Sequence, residues 1–146
     1  MQVELKIDET CKDPKVIIIA DKMTDEIGVL LKSLSSFYPY LIAGFSGDTV
    51  KLLEENEIVR VYAANQKIYA QTANCEYILR PRLYELEERL NKRLFVRISN
   101  SEIINLKKVI RLDLSMSGTI CVELSNQATA YVARRYVTKI KQALGI

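Results

Sequence analysis

The spacing of apolar residues changes from strand-like to helix-like within the first forty residues. Gln2–Ile7 alternates polar and apolar side chains, which predicts a half-buried strand, and Val16–Ala20 is a short apolar run suited to a strand buried on both faces. Thr24 is a good N-cap for a helix that ends before Pro39. The apolar stripe of this helix consists of Ile27, Leu30, Leu31 and Leu34.

Short strand-like runs separated by polar turns fill most of the remaining chain. The predicted strands are Leu41–Phe45, Thr49–Leu53, Ile58–Ala63, Lys67–Thr72, Glu76–Leu79, Phe95–Ile98, Val109–Leu114 and Thr119–Leu124. Leucines at helical spacing predict a helix near Arg82–Lys92, with Pro81 in its first turn. A second apolar stripe predicts a helix over Arg135–Leu144 that is capped by Gly145.

This order of elements predicts an α+β fold in two parts. The polar stretch Glu54–Glu57 is the best candidate for a boundary between them. We therefore expect a short α/β N-terminal module over residues 1–55, followed by a mostly antiparallel-β domain over residues 56–146. A chain of 146 residues is long enough to bury a substantial core in such an arrangement.

The positive charge is concentrated at the C-terminal end of the chain. Residues 91–146 contain ten Lys and Arg against three Asp and Glu, whereas residues 1–50 contain five against eight. The whole chain carries a formal net charge of only +3. A basic region confined to one end is typical of proteins that bind nucleic acid.

Several kinds of chemistry lack the residues that they need. The chain has no histidine, which removes Ser-His-Asp and Cys-His catalysis and His-ligated metal sites. Cys11, Cys75 and Cys121 form no CxxC pair, and the five glycines form no phosphate-binding motif. We therefore expect no enzyme activity, no cofactor and no metal. The longest apolar run, Val16–Ala20, is too short to span a membrane, so we expect a cytoplasmic protein.

The segment Phe95–Asn105 combines a strand with a polar loop. Strand alternation places Arg97 on the face opposite Val96 and Ile98, and Asn100 lies in the loop that follows. One interpretation is a surface arginine followed by a turn-forming asparagine. The other is a pair that reads bases, because Asn matches the donor and acceptor of an adenine edge and Arg forks onto guanine or a phosphate.

The C-terminal helix begins with an electrostatic conflict. Its predicted first turn carries Arg134 and Arg135, and a cation at a helix N-terminus opposes the helix dipole by about 0.3–1 kcal/mol. The first turn of the earlier helix carries Asp25 and Glu26 instead. Helix N-termini also bind anions, so a phosphate at this turn would convert the repulsion into an attraction.

Two strings of the C-terminal region carry a family resemblance. They are FVRISNS-x-IIN at Phe95–Asn105, continued by Lys107-Lys108-Val109, and ARRYV-x-K-I at Ala133–Ile140. The Ser117-Gly118-Thr119 turn before a strand is a further mark. With these marks the chain from residue 56 to 146 resembles the LytTR DNA-binding domains of bacterial transcription regulators. The resemblance implies an elongated stack of antiparallel sheets, and residues 1–50 resemble the extension of small members that lack a receiver domain.

The resemblance implies that loops enter successive major grooves of promoter DNA. By position, the base and backbone contacts fall on Asn65, Gln66, Lys67, Arg97, Asn100, Lys107, Arg134 and Arg135. Ala133 stands where many members have Ser, which removes a hydroxyl. Neighbouring residues of a helical turn point about 100° apart. The two arginines therefore cannot both enter one groove. The helix-end argument favours a phosphate for Arg135, whereas the family position implies a base; we follow the resemblance, giving Arg135 a base and Arg134 a phosphate.

The resemblance also implies partners. Operators of the family are usually paired sites, and with the apolar stripe of the first helix this predicts a homodimer through residues 1–50. Small members often work with a membrane-protein regulator, for which the N-terminal module is the natural contact. Two other functions stay open: a protein-interaction module that uses the basic C-terminal surface, and a small-molecule-binding α/β protein.

Overall fold

The computed structural model of the protein describes residues 1–12, 14–37 and 41–146. The strands are β1 (Leu41–Ser46), β2 (Thr49–Glu54), β3 (Arg60–Ala64), β4 (Lys67–Gln71), β5 (Glu76–Leu79), β6 (Phe95–Ser99), β7 (Glu102–Asn105), β8 (Val109–Asp113), β9 (Ile120–Leu124) and β10 (Thr129–Val132). The α-helices are α1 (Asp25–Phe37), α2 (Leu83–Arg89) and α3 (Val137–Leu144). The predicted α+β class, with a mostly antiparallel-β C-terminal region, is confirmed.

The strands form two antiparallel sheets. The larger sheet has seven strands in the order β2-β1-β5-β4-β3-β7-β6, and the smaller has three in the order β10-β9-β8. Most neighbours in the sheets also follow one another along the chain, so short turns connect them. The β3–β4 connection is a loop of two residues, Asn65 and Gln66, with φ angles of 51° and 62°. Two positive φ angles are typical of a type I′ hairpin turn.

Two hydrophobic cores lie on opposite faces of the β6–β7 hairpin, because alternate residues of a strand point to opposite faces. Phe95 of β6 packs in the first core with Leu86 of α2. Val96 and Ile98 pack in the second core with Ile140 of α3. The inward residues of the smaller sheet complete this second core: Ile120, Val122, Leu124, Ala130 and Val132.

The helices largely follow their sequence signals. The Oγ1 atom of Thr24 accepts a hydrogen bond from the N–H of Ile27 at 3.3 Å, which confirms the predicted N-cap, while Pro39 lies outside the described residues. The predicted leucines of α2 are buried. Leu83 and Leu86 lie within the helix, and Leu90 is its C-cap. Its N-cap is Arg82, so Pro81 precedes the helix and does not lie in its first turn as predicted. No helix of the described ranges is long and apolar enough to cross a membrane.

The start of α3 differs from the prediction. A 3₁₀ turn over Arg134–Tyr136 precedes the α-helix, which begins only at Val137. Both arginines therefore lie ahead of the first α-helical turn. The C-terminal end agrees with the prediction, since Gly145 caps the helix with a φ of 71°.

The predicted strands Gln2–Ile7 and Val16–Ala20 are wrong for a single copy of the chain. All strands of the described residues lie between residues 41 and 132. Alternation predicts which side chains share a face, whereas a strand also needs a neighbour for its backbone hydrogen bonds. These two segments have the side-chain pattern but no such neighbour within the chain that the structure describes.

Contacts across residue 55 join the two predicted parts of the chain. Strand β1 pairs with β5, and Ile42 of β1 and Leu53 of β2 are buried in the same core as α2. The Oε1 atom of Glu55 accepts a hydrogen bond from the N–H of Asn91 at 3.0 Å. These contacts favour a boundary before β1, and the division at residue 55 stays a prediction.

Two truncations test this division. Residues 41–146 retain β1 and β2, whereas residues 56–146 lose them and uncover the first core. We expect the shorter fragment to be clearly less stable in chemical unfolding, because loss of one buried side chain such as Leu53 already costs about 2–5 kcal/mol. The control is deletion of residues 1–12, which lie outside both cores. Measured at protein concentrations low enough for all variants to be monomeric, it should change the unfolding free energy little. Equal stability of the two fragments would support the division at residue 55.

Candidate nucleic-acid interface

The strand registers bring four connections to one end of the fold, which we call the Asn100 end. Tyr62 of β3 lies opposite Glu102 of β7, and the N–H of Ala63 donates to the carbonyl oxygen of Ser101 at 2.8 Å. The β3–β4 turn therefore lies beside the β6–β7 loop. The Asn100 end consists of the β3–β4 turn (residues 65 and 66), the β6–β7 loop (residues 100 and 101), the β8–β9 loop (residues 114–119) and the 3₁₀ turn Arg134–Tyr136.

A β-bulge in β6 connects Arg134 and Arg135 to the Asn100 end. The register between β6 and β7 shifts at Ile98, which is the extra residue of the bulge. The carbonyl oxygen of Ile98 accepts a hydrogen bond from the N–H of Ala133 at 2.7 Å. Ala133 is the residue that precedes the 3₁₀ turn, so this bond holds both arginines beside the β6–β7 loop.

Arg97 is held within the protein by three hydrogen bonds. Its Nε donates to the carbonyl oxygen of Ser99 at 2.8 Å, and its Nη2 donates to the carbonyl oxygen of Asn100 at 2.6 Å. Its Nη1 donates to Oε2 of Glu87 at 2.6 Å. The side chain of Arg97 is only 14% exposed. These bonds fix the backbone of the loop that carries Asn100.

Glu87 of α2 connects this loop to α3 as well. Its Oε1 accepts a hydrogen bond from Nζ of Lys139 at 3.5 Å, in addition to the ion pair with Arg97. Partial burial raises the pKa of Glu87, but hydrogen bonds and charges from Arg97 and Lys139 outweigh this effect and lower its pKa below the ordinary value. The ionised carboxylate therefore stabilises the Asn100 end at neutral pH.

Tyr136 joins Asn100 to Arg135. Nη2 of Arg135 donates to the Tyr136 hydroxyl at 2.8 Å, and the guanidinium carbon lies 4.9 Å from the centre of the tyrosine ring. The same hydroxyl donates to Oδ1 of Asn100 at 3.4 Å. Asn100 and Arg135 are both exposed, so their other polar atoms are accessible to a ligand. The sequence places Tyr136 only in the apolar stripe of α3, and its polar hydroxyl is the signal that could have indicated this second role.

Arg134 has a different neighbour. A Cβ placed on Gly118 would lie 2.9 Å from both Nε and Nη2 of Arg134, so the guanidinium lies directly on this glycine of the β8–β9 loop. Gly118 also has a φ of 76°, a conformation that favours glycine. Arg134 and Arg135 are therefore both exposed, but they contact different loops.

The backbone of the β3–β4 turn is conformationally strained. Asn65 and Gln66 are exposed and left-handed, and this conformation costs roughly 1–2 kcal/mol for a residue such as Gln. Glycine is the usual residue at the second position of a type I′ turn. Strained residues of this kind tend to occur at functional sites. Since β3 and β7 are neighbours, the turn lies roughly 10 Å from the β6–β7 loop.

Lys107 is separated from the other candidate residues. It follows β7, and Asn105 at that end of β7 pairs with Phe95, at the opposite end of the hairpin from Asn100. The N–H of Lys107 donates to Oδ1 of Asn105 at 3.0 Å, and its side chain is exposed. The length of β7 places Lys107 roughly 15 Å from the β6–β7 loop. Lys67, by contrast, begins β4 directly after the β3–β4 turn.

Unfolding as a function of pH tests the Glu87 network. The folded pKa of Glu87 is lowered, so its contribution is present above the unfolded-state pKa and is lost as the pH falls through the folded value. We expect Glu87→Gln to reduce the unfolding free energy at neutral pH, with a difference from wild type that shrinks in acid. The control is Glu88→Gln, an exposed neighbour on the same helix. A difference that stays constant with pH would contradict an electrostatic origin.

A model of the LytTr DNA-binding domain family matches residues 48–145. A Staphylococcus aureus protein (strain NCTC 8325), named an uncharacterised HTH-type transcriptional regulator, is 29% identical over 147 residues. The alignment covers 100% of this chain and 99% of that protein. A second protein, also named an uncharacterised HTH-type transcriptional regulator and from Staphylococcus aureus strain MRSA252, is 28% identical with the same coverage. In the described residues of this chain, strands separate α1 from α2 and α2 from α3, so no two successive helices form a helix-turn-helix.

The fold also matches a solved structure. It is the LytTr DNA-binding domain of a Bacillus cereus protein described as a methyl-accepting/DNA response regulator. The TM-score is 0.71 at 19% sequence identity, with 73% of this chain and 98% of that chain covered. The two agree in their antiparallel architecture. Because the family match extends over residues 48–145, the protein belongs to the LytTR family of DNA-binding domains.

Proposed function

We propose that the protein regulates transcription in the bacterial cytoplasm by reading the sequence of promoter DNA with its Asn100 end. The observation that carries this proposal is the group formed by Asn100, Tyr136 and Arg135, which presents an amide and a guanidinium side by side on an exposed surface. The family provides DNA binding, and the names of the Staphylococcus aureus relatives support a role in transcription.

Asn100 and Arg135 are the proposed base readers. An asparagine amide matches the major-groove edge of adenine, and a guanidinium matches that of guanine. Tyr136 contacts both side chains, so less conformational freedom is lost when they meet DNA. Pre-positioned groups of this kind favour specificity as well as affinity.

Arg134 and Arg97 have other proposed roles. Arg134 lies on Gly118, away from the Asn100 group, and we assign it to a phosphate, which adds affinity without reading sequence. Arg97 uses its Nε, Nη1 and Nη2 atoms within the protein. Its proposed role is therefore to position the β6–β7 loop, in preference to the direct contact that the resemblance implies.

The β3–β4 turn supplies a second set of proposed contacts through Asn65, Gln66 and Lys67. A separation of roughly 10 Å from the β6–β7 loop is comparable with the width of a major groove, about 12 Å. Both hairpin ends can therefore meet neighbouring parts of one duplex. Lys107 is the outlying member of the proposed set, and it reaches only a duplex that extends along the β6–β7 hairpin.

We also propose a homodimer through residues 1–50, with a membrane-protein regulator as a second partner of this region. The predicted stripe of α1 is only half-buried in the single chain: Ile27, Leu30, Leu31 and Leu34. Apolar side chains that are half covered by their own chain are available for a second protein.

Titration of single variants against a selected duplex and its scrambled counterpart tests the base readers. Asn100→Ala and Arg135→Ala should weaken the selected duplex by about 1–3 kcal/mol each, with a smaller loss on scrambled DNA. Arg134→Ala should weaken both duplexes alike and reduce the salt slope by about one. Lys92→Ala, an exposed cation just before β6 and so at the end of the hairpin opposite Asn100, is the matched comparison for loss of one charge.

The outcomes separate the roles. Equal losses on both duplexes for Arg135→Ala would assign it to a phosphate. No loss from Asn100→Ala, Arg134→Ala or Arg135→Ala would remove the Asn100 end from the interface, and with it the proposed mechanism.

Replacement of Gln66 by glycine tests the strained turn. Glycine relieves the left-handed conformation, so we expect the unfolding free energy of Gln66→Gly to rise by up to about 1 kcal/mol. The same change removes a proposed DNA contact, so affinity for the selected duplex should fall. Chemical unfolding and DNA titration measure the two effects. Higher stability with unchanged affinity would show that the Gln66 side chain does not contact DNA.

A further inference from the structure

The first twenty residues expose apolar side chains in a strand-like pattern. Val3, Leu5 and Ile7 are 94%, 83% and 80% exposed. They alternate with Gln2, Glu4 and Lys6, so an extended backbone places the apolar and polar sets on opposite faces. A contiguous apolar face left open to water is typical of an interaction surface.

We infer that residues 2–7 pair antiparallel with the same residues of a second copy of this chain, about a two-fold axis at Leu5. This inference rests on the homodimer of the proposed function and names its interface. In this register Val3 faces the partner subunit's Ile7, and Glu4 faces the partner subunit's Lys6. The apolar side chains of both copies share one face of the pair, and two ion pairs form on the other face.

The charges select this register over its alternatives. Parallel pairing in register would place Glu4 opposite Glu4 and Lys6 opposite Lys6, which is unfavourable. An antiparallel register moved by one residue would place apolar side chains opposite charged ones. A register centred on Val3 or Ile7 removes both of the Glu4–Lys6 pairs. Leu5 is thus the centre that matches apolar and charged residues together.

The second unpaired run is also self-complementary, although here the charged residues lie on the same face as Ile17 and Ile19. About a two-fold axis at Ile18, Lys15 faces Asp21 and Ile17 faces Ile19. Ile17 and Ile19 are 66% and 92% exposed. A two-stranded ribbon is only marginally stable in water, so an interface of this kind needs a further apolar layer, which Val16–Ala20 can supply.

The occupant that fits best is a second copy and not an unrelated protein. A different partner requires only that its own surface complement residues 2–7. It does not require that residues 2–7 complement themselves. Self-complementarity in both apolar position and charge is the requirement of an isologous interface.

Charge exchange in the full chain tests the pairing. Glu4→Lys alone, or Lys6→Glu alone, turns both ion pairs into like-charge contacts, so the dissociation constant of the dimer should rise about tenfold or more. An equimolar mixture of the two variants faces opposite charges again, as does the double variant E4K/K6E. Both should recover dimerisation close to that of wild type. Analytical ultracentrifugation measures all of these equilibria.

Matched controls change the same charges outside the paired register. Glu9→Lys and Lys12→Glu lie beyond the strand-like segment and should leave the dimer unchanged. A monomeric wild type would overturn the inference, as would single variants that dimerise normally or a mixture that fails to recover. Retardation of a duplex with one binding site, measured in parallel, reports on the proposed function by itself, because the Asn100 end should bind such a duplex in the single variants too.

Discussion

Burial of the β6–β7 hairpin on both faces sets the position of the loops at the Asn100 end. Phe95 must point to the core lined by α2, while Val96 and Ile98 must point to the core lined by α3. A slip of one residue would bring Arg97 into the second core, where an unpaired charge is very unfavourable. The register that satisfies both cores therefore also determines where the β6–β7 loop leaves the sheet.

Polar contacts then add what hydrophobic packing cannot supply. At one end of the hairpin, buried Asn105 donates through Nδ2 to the carbonyl oxygen of Ile58 at 2.9 Å and accepts from the N–H of Lys107. At the other end, the bulge at Ile98 holds Ala133, and Arg97 holds the loop backbone. The exposed Asn100 and Arg135 thus lie in a loop and a turn that these contacts hold against the strands, which is an arrangement suited to specific recognition.

The sequence predicts elements whose two faces differ strongly, and it fails where the decisive neighbour is distant. Strands β3, β4 and β5 lie within two residues of their predicted bounds. Strand β10 is not predicted, because its inward Ala130 is too small to give a clear apolar signal. The partners of Asn100 and Arg97 lie 36 and 10 residues away along the chain, at Tyr136 and Glu87, and local spacing does not indicate such contacts. Local alternation in residues 2–7 shows which side chains can share a face, but a strand also needs a neighbour, and the described residues supply none.

The proposed two-fold pairing constrains how two copies approach DNA. If each copy moves as one rigid body, the rotation that exchanges the N-terminal strands also exchanges the two Asn100 ends, so the operator must consist of inverted half-sites. If only the N-terminal strands obey the two-fold axis, each Asn100 end is free to choose its own orientation, and direct repeats bind as well. Half-site spacing adds a second constraint, because both ends reach one face of the duplex only at separations near multiples of about 10 base pairs. Inverted sites at one fixed spacing therefore indicate a rigid symmetric dimer, whereas sites in both orientations indicate that symmetry is confined to the N-terminal strands.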